Sequence, residues 1–100
     1  MAKYKIYYHK DFIKAYKKIS DEERKITDEV IVKLSNDENL EPKYKDHQLK
    51  GVLKDFRECH IKSNLLLIYQ KHNNELELNI LKLGSHRVSY LKNIERNKDG

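Results

Sequence analysis

The segment that decides the fold spans residues 55–83 and reads DFRECHIKSNLLLIYQKHNNELELNILKL. It contains three runs typical of β-strands, at residues 55–61, 65–71 and 75–83. The last two are separated by HNN at residues 72–74, which predicts a hairpin turn because asparagine tolerates a positive φ angle. The segment therefore predicts three successive strands that pair mostly antiparallel.

The first half of the chain predicts one further strand followed by two helices. Residues 3–9 alternate as a strand does, and apolar side chains then recur at helical spacing from Phe12 to Ile19. Ser20 and Glu23 form a capping box, which predicts the start of a second helix. Pro42 prevents this helix from resuming, so that residues 41–54 are predicted as a polar loop.

These elements define an α+β fold in the order β-α-α-β-β-β, with two helices packed on a mostly antiparallel four-stranded sheet. A chain of 100 residues has room for one domain, which we assign to residues 1–95. Residues 87–95 are predicted as a short C-terminal helix, and residues 96–100 as a flexible tail.

Composition narrows the classes of protein that fit. The formal net charge of +5 favours an anionic partner, such as nucleic acid, an acidic protein or a membrane surface. The longest apolar run is the five residues 65–69, whereas a membrane span needs about 20, so a transmembrane protein is excluded. The only cysteine, Cys59, cannot form an internal disulfide, and the N-terminal residues lack a secretory core. We therefore expect a cytoplasmic protein.

Three segments, in this order, resemble the YafQ-type ribonuclease toxins of the RelE/ParE superfamily: DHQLKG at residues 46–51, FRECHI at residues 56–61 and LGSH at residues 83–86. LLLIY at residues 65–69 is similar to the central strand of that family. The resemblance covers nearly all of residues 3–91 and implies a RelE-like fold. It also implies an endoribonuclease that cuts mRNA on the translating ribosome, without a cofactor. A partner antitoxin would hold it inactive, and the pair would bind operator DNA and repress its own operon.

The resemblance also implies the site residues. His47, His60 and His86 match the active-site histidines of the family, and Tyr90 stands where a Phe is usual. Lys82 stands at a position usually occupied by Arg, and Asn64 at one usually occupied by Asp. The last two departures favour an alternative function, a catalytically weakened module that only binds RNA, the ribosome or an antitoxin. A gyrase-inhibiting toxin of the same superfamily is a further alternative, although three matched histidines argue against it.

The chemistry expected of these residues is metal-free cleavage, in which the 2′-OH of the RNA attacks the neighbouring phosphate. This reaction needs a base, an acid and positive charge near the phosphorane. We assign proton transfer to His60 and His86, without choosing between base and acid, and either proton transfer or phosphate contact to His47. Lys82 would counter the charge of the transition state.

Substrate contacts are expected from three other side chains. Tyr90 would stack on a nucleobase, Asn64 would position a neighbouring group or a phosphate, and Arg57 would bind phosphate or close a salt bridge. Tyr90 has an equal claim to a structural role at the edge of the core.

Several of these residues also have structural interpretations. Glu58 shares a strand face with His60 and would either orient it or, as we favour, be a surface carboxylate. Lys82 has the same parity as the core positions Leu76, Leu78 and Ile80, so it reaches the site only past a bulge or at the end of the strand. His9 and His72 are predicted to be structural, and Cys59 a buried apolar residue. A three-histidine zinc site lacks support from a helical His pair or a cysteine ligand.

Overall fold

The computed structural model describes residues 2–85. Its helices and strands are, in chain order, β1 Lys5–Tyr8, α1 Lys10–Tyr16, α2 Asp21–Ser35, β2 His47–Gln48, β3 Arg57–Lys62, β4 Leu65–His72 and β5 Glu77–Gly84. The sheet has the order β1-β5-β4-β3-β2, in which β1 runs parallel to β5 and every other pair is antiparallel. Over residues 2–85, no helix has the length and the apolar character that crossing a membrane requires. The predicted helix at residues 87–95 and the predicted tail lie outside the described residues.

The predicted α+β fold, with two helices packed on a mostly antiparallel sheet, is confirmed, but the sheet has five strands rather than four. The extra strand is β2, which lies within residues 41–54, the segment predicted as a loop. Two residues are too few to show the alternation that identifies a strand in a sequence. What defines β2 is its pairing with β3, in which His47 lies opposite Glu58 and Gln48 opposite Arg57.

The main core lies between the helices and one face of the sheet. The predicted capping box is confirmed: Ser20 Oγ accepts from the Glu23 backbone N–H at 3.1 Å, and Glu23 Oε1 accepts from the Ser20 N–H at 2.9 Å. It starts α2 at the point where the apolar stripe of that helix meets the sheet. The buried side chains on this side include Val30, Ile31, Leu34, Cys59, Leu67, Leu78 and Ile80.

The opposite face of the sheet carries a second, smaller cluster. Leu49, Leu53 and Ile68 are buried there, with Phe56 packed against them. Because β4 contributes to both clusters, every residue from Leu65 to Tyr69 is buried. Burial on both faces explains why this strand reads as an unbroken apolar run instead of an alternating one.

The pairing of β4 with β5 contains a bulge. Ile68 pairs with Lys82 whereas Tyr69 pairs with Ile80, so one residue of β5, Leu81, has no counterpart. A bulge, one of the two alternatives named for Lys82, is thus present, and it shifts the side-chain alternation by one position. Leu83 enters the main core, while Lys82 lies on the face of Ile68.

The turn before β5 lies later in the sequence than predicted: His72 ends β4, whereas Glu75 and Leu76, predicted as strand, lie in the turn. Its positive φ falls on Leu76 and on neither Asn73 nor Asn74. Leu76, predicted as core, is 43% exposed and has a φ of 54°. It lies in the turn, ahead of Glu77 at the start of β5. The left-handed backbone of this turn takes its side chain out of the strand alternation.

A group of charged side chains joins the N-terminal residues to the end of α2 and to β4. Asp37, with a φ of 61°, accepts from Lys3 Nζ at 3.0 Å and from Lys71 Nζ at 2.6 Å. The Lys71 ammonium also lies 4.7 Å from the centre of the Tyr4 ring. This group connects three segments that are distant in the sequence.

Candidate active site

A buried carboxylate lies between two of the predicted catalytic histidines. Glu58 and His60 are two residues apart on β3 and point to the same face, and His47 on β2 lies directly opposite Glu58. The distance from Glu58 Oε1 is 3.5 Å to His47 Nε2 and 3.8 Å to His60 Nε2. One carboxylate oxygen therefore faces both imidazoles.

Exposure differs sharply among the three side chains. The side chain of Glu58 is 0% exposed, whereas those of His47 and His60 are 44% and 24% exposed. The two histidines can therefore meet a large substrate, while the carboxylate beneath them cannot. Our preferred prediction for Glu58, a surface carboxylate, is wrong. The signal that pointed to its real position was the face it shares with Phe56 and His60, next to the doubly buried β4.

The ring of His47 is held in one orientation by the backbone. Its Nδ1 lies 2.6 Å from the carbonyl oxygen of Lys45, and because a carbonyl oxygen only accepts, Nδ1 carries the hydrogen. The other nitrogen, Nε2, faces Glu58. In the neutral ring Nε2 is then the nitrogen with a lone pair, available to take a proton.

Arg57 lies on the other face of β3 and closes a salt bridge, one of its two predicted alternatives. Its Nη2 is 3.3 Å from Asp46 Oδ2, and its Nε donates to Tyr69 Oη at 3.2 Å. The Tyr69 hydroxyl donates to Asp46 Oδ1. Burial, together with this hydrogen bond, raises the pKa of Tyr69 above its usual range, so the hydroxyl keeps its proton. These contacts direct Arg57 away from His60.

Lys82 is on the same face as Glu58, because both residues pair with Ile68 of the intervening strand. Its ammonium, however, binds the Asp11 carboxylate in the first turn of α1. The hydrogen bond from Lys82 lowers the pKa of Asp11 below its ordinary value. The predicted countercharge for the transition state is therefore paired with an acidic side chain in this structure.

The remaining predicted site residues are spread more widely. Asn64 is exposed in the turn between β3 and β4. His86 and Tyr90 lie outside the described residues. Of the predicted catalytic set, the described residues bring together His47 and His60, with Glu58 added between them.

Two of the residues predicted to be structural, His9 and Cys59, have structural roles. His9 is the N-cap of α1, and its Nδ1 accepts from the Asp11 N–H at 3.2 Å. Cys59 is 0% exposed, and burial raises the pKa of its thiol, which disfavours the reactive thiolate.

Over residues 2–85, no group of three or more His, Cys, Asp or Glu side chains is arranged to hold a metal ion. His47, Glu58 and His60 include suitable donor types, but they do not form such a group. We derive no step through a metal from them.

A RelE-like α+β fold defines the class of this protein, with His47 and His60 on the face of the sheet opposite the helices, called the open face. The model of the YafQ family, bacterial toxins of type II toxin–antitoxin systems, matches residues 4–89. The chain therefore belongs to the YafQ family and is a toxin of the type II class. A search of curated proteins gave no match.

Solved structures agree with this assignment. A metal-bound toxin from Helicobacter pylori is 42% identical, covers 86% of this chain and 96% of its own, and superposes with a TM-score of 0.70. A copper-bound point mutant of a toxin from the same organism is 38% identical over 86% of this chain and 96% of its own, with a TM-score of 0.71. The E. coli DinJ–YafQ complex matches at 27% identity over 85% of this chain and 96% of that one, with a TM-score of 0.70.

Proposed function

We propose that this toxin is an endoribonuclease that cuts mRNA on the ribosome by acid–base catalysis, without a metal ion. The observation that carries the proposal is the pair of accessible imidazoles, His47 and His60, on either side of the buried Glu58 carboxylate. Two groups that can exchange protons near neutral pH are what attack by a 2′-OH requires. Family membership supports a nuclease in general terms.

In this mechanism one histidine takes the proton of the 2′-OH while another protonates the departing 5′-oxygen. We propose His60 and His86 for these two transfers. His47 either shares in proton transfer, through the Nε2 that faces Glu58, or contacts the phosphate. Glu58 orients both rings by accepting from their Nε2 hydrogens when these are present. Metal-bound relatives leave a metal-assisted reaction as the competing outcome of the test.

Three further side chains are proposed to act on the substrate. Lys82 would counter the charge on the phosphorane once its ammonium exchanges Asp11 for phosphate. Asn64 would contact the RNA from its exposed turn, and Tyr90 would stack on a nucleobase.

The proposed partners follow from the family and from the charge. The E. coli relative was solved with DinJ, which supports an antitoxin as the inhibitory partner of this chain. The net charge of +5 suits mRNA, the ribosome and operator DNA bound together with that antitoxin. We place the activity in the cytoplasm, where mRNA is translated.

The test is RNA cleavage by the purified, metal-stripped toxin, on free RNA with EDTA present and on translating ribosomes that keep their Mg²⁺. Products with a 2′,3′-cyclic phosphate or 3′-phosphate and a 5′-hydroxyl are expected. Loss of all cleavage on chelation, restored by adding back copper or zinc, would contradict the metal-free mechanism.

One observation favours a second candidate, a catalytically weakened module that binds RNA, the ribosome or an antitoxin. Lys82 is paired with Asp11, so the charge meant for the transition state is already neutralised. Ribosome binding without cleavage, in the same assay, would support this candidate.

A further inference from the structure

The dipeptide Asp46-His47 presents its two side chains to opposite faces of the sheet. His47 lies on the face of Glu58 and His60, as its pairing with Glu58 requires. Asp46 lies on the other face, where its carboxylate is bound by the side chains of Arg57 and Tyr69. The position of one residue of this dipeptide therefore fixes that of the other.

Three side chains are well suited to hold this chain segment in place: Asp46, Arg57 and Tyr69. Tyr69 is 1% exposed on the central strand β4, and Arg57 is on the adjacent β3. Arg57 contacts both Asp46 oxygens, with Nε at 3.4 Å and Nη2 at 3.3 Å. A guanidinium that engages a carboxylate through two nitrogens fixes its orientation as well as its distance.

The segment being held needs such support because it is short and irregular. Lys45 has a left-handed φ of 48°, and β2 comprises only His47 and Gln48. Yet this segment supplies the Lys45 carbonyl, 2.6 Å from His47 Nδ1, and its position sets the distance of 3.5 Å between His47 Nε2 and Glu58 on β3. A shift of about 1 Å is enough to lower a rate by about 100-fold when a reacting group is misplaced.

We propose that Arg57, Asp46 and Tyr69 are positioning residues, which act from the opposite face of the sheet to hold His47 in the tautomer and place that catalysis uses. In this assignment Arg57 does not bind RNA phosphate. The proposal rests on the ribonuclease function proposed above, but its structural part is measurable without RNA.

The structural part is tested by ¹⁵N NMR of the histidine rings in the free toxin. The two nitrogens of a neutral imidazole are distinct, so their shifts report which one carries the hydrogen. Wild-type His47 should show hydrogen on Nδ1. Tyr69→Phe, which keeps the buried ring and removes only the hydroxyl, should give a mixture of tautomers or a broadened signal, as should Arg57→Gln. Unchanged His47 signals in both variants would overturn the proposal, whether or not the protein cleaves RNA.

The catalytic part is tested by the kinetics of the same variants. Tyr69→Phe and Arg57→Gln should each lower kcat by about 10- to 100-fold and leave KM within about twofold, because the substrate loses no contact. Lys54→Gln is the matched control: it removes one positive charge from an exposed side chain near Arg57 in sequence, and should leave kcat unchanged. A raised KM with a reduced salt dependence for Arg57→Gln, together with normal kinetics for Tyr69→Phe, would show instead that Arg57 binds RNA.

Discussion

His47 and Glu58 occupy directly opposite positions on β2 and β3, and the imidazole Nε2 of one lies 3.5 Å from the carboxylate Oε1 of the other. The same oxygen faces His60 Nε2 at 3.8 Å. A carboxylate shared in this way couples the positions of two imidazole rings that lie on different strands.

Replacing His60 by alanine should lower the cleavage rate by about 10²- to 10⁴-fold, the usual contribution of a positioned acid or base. His72→Ala is the matched control, since His72 lies at the far end of β4 and pairs with Glu77 across the sheet. Single-turnover cleavage on ribosomes measures both, with circular dichroism to verify folding. Equal losses in the two variants would show that the division into catalytic and structural histidines is wrong.

Glu58→Gln should lower the cleavage rate at least tenfold while the protein stays folded. The amide has the shape of the carboxylate, but it carries no charge, and one of its two ends can only donate. It therefore cannot stabilise a protonated imidazole as the carboxylate can, with its Oε1 at 3.5 Å from His47 Nε2 and 3.8 Å from His60 Nε2. The measurement is the rate as a function of pH. A profile identical to wild type would mean that Glu58 only fills space.

Asp11→Asn should lower KM for RNA several-fold, because Lys82 loses its carboxylate partner and becomes available to phosphate. The gain should shrink as the salt concentration rises, since screening weakens contacts to phosphate. Asp28→Asn is the control, because it removes an exposed carboxylate that binds Tyr16 and leaves Lys82 paired. If both variants change KM equally, the effect is one of net charge and does not come from Lys82.

Asp37→Asn should lower the melting temperature at neutral pH and have little effect in strong acid. Hydrogen bonds from Lys71 and Lys3 lower the pKa of Asp37 below its ordinary value of 3.8. A carboxyl whose pKa is lower in the folded state stabilises the fold above the unfolded value, and this contribution is lost as the pH falls through the folded-state pKa. Asparagine also tolerates the left-handed φ of this position.

The measurement is thermal unfolding of both proteins from pH 7 down into strong acid. The gap in melting temperature should close only below pH 3.8. Glu38→Gln, at the neighbouring exposed position, is the control and should show no such pH-dependent gap. If the difference in melting temperature persists unchanged in acid, the backbone conformation at Asp37 causes it and the ion pairs with Lys3 and Lys71 do not.

The features that could be predicted from the sequence are those that residues close together in the chain determine. The capping box of Ser20 and Glu23 and the hairpin after His72 are local, and both could be identified from residue types and spacing. For Lys82, its parity with core residues predicted a departure from regular alternation, but left a bulge and the strand end as alternatives.

What could not be predicted depends on contacts between distant segments. β2 exists only because β3 pairs with it, and Glu58 is buried only because β2 and the second apolar cluster cover its face. The pairing of Lys82 with Asp11 joins residues 71 positions apart. No local pattern in the sequence contains these relationships.

The bulge at Leu81 also bears on how this strand can change in evolution. With the extra residue present, Leu83 belongs to the core and Lys82 to the open face. If Leu81 stayed in the strand but the bulge were lost, Leu81 would take the place opposite Ile68, and Lys82 and Leu83 would exchange faces, turning a cation inward and a leucine outward. Deletion of Leu81 itself would instead leave Lys82 opposite Ile68 and Leu83 opposite Leu67, so the bulge is a place where β5 can lose a residue and keep both of its faces.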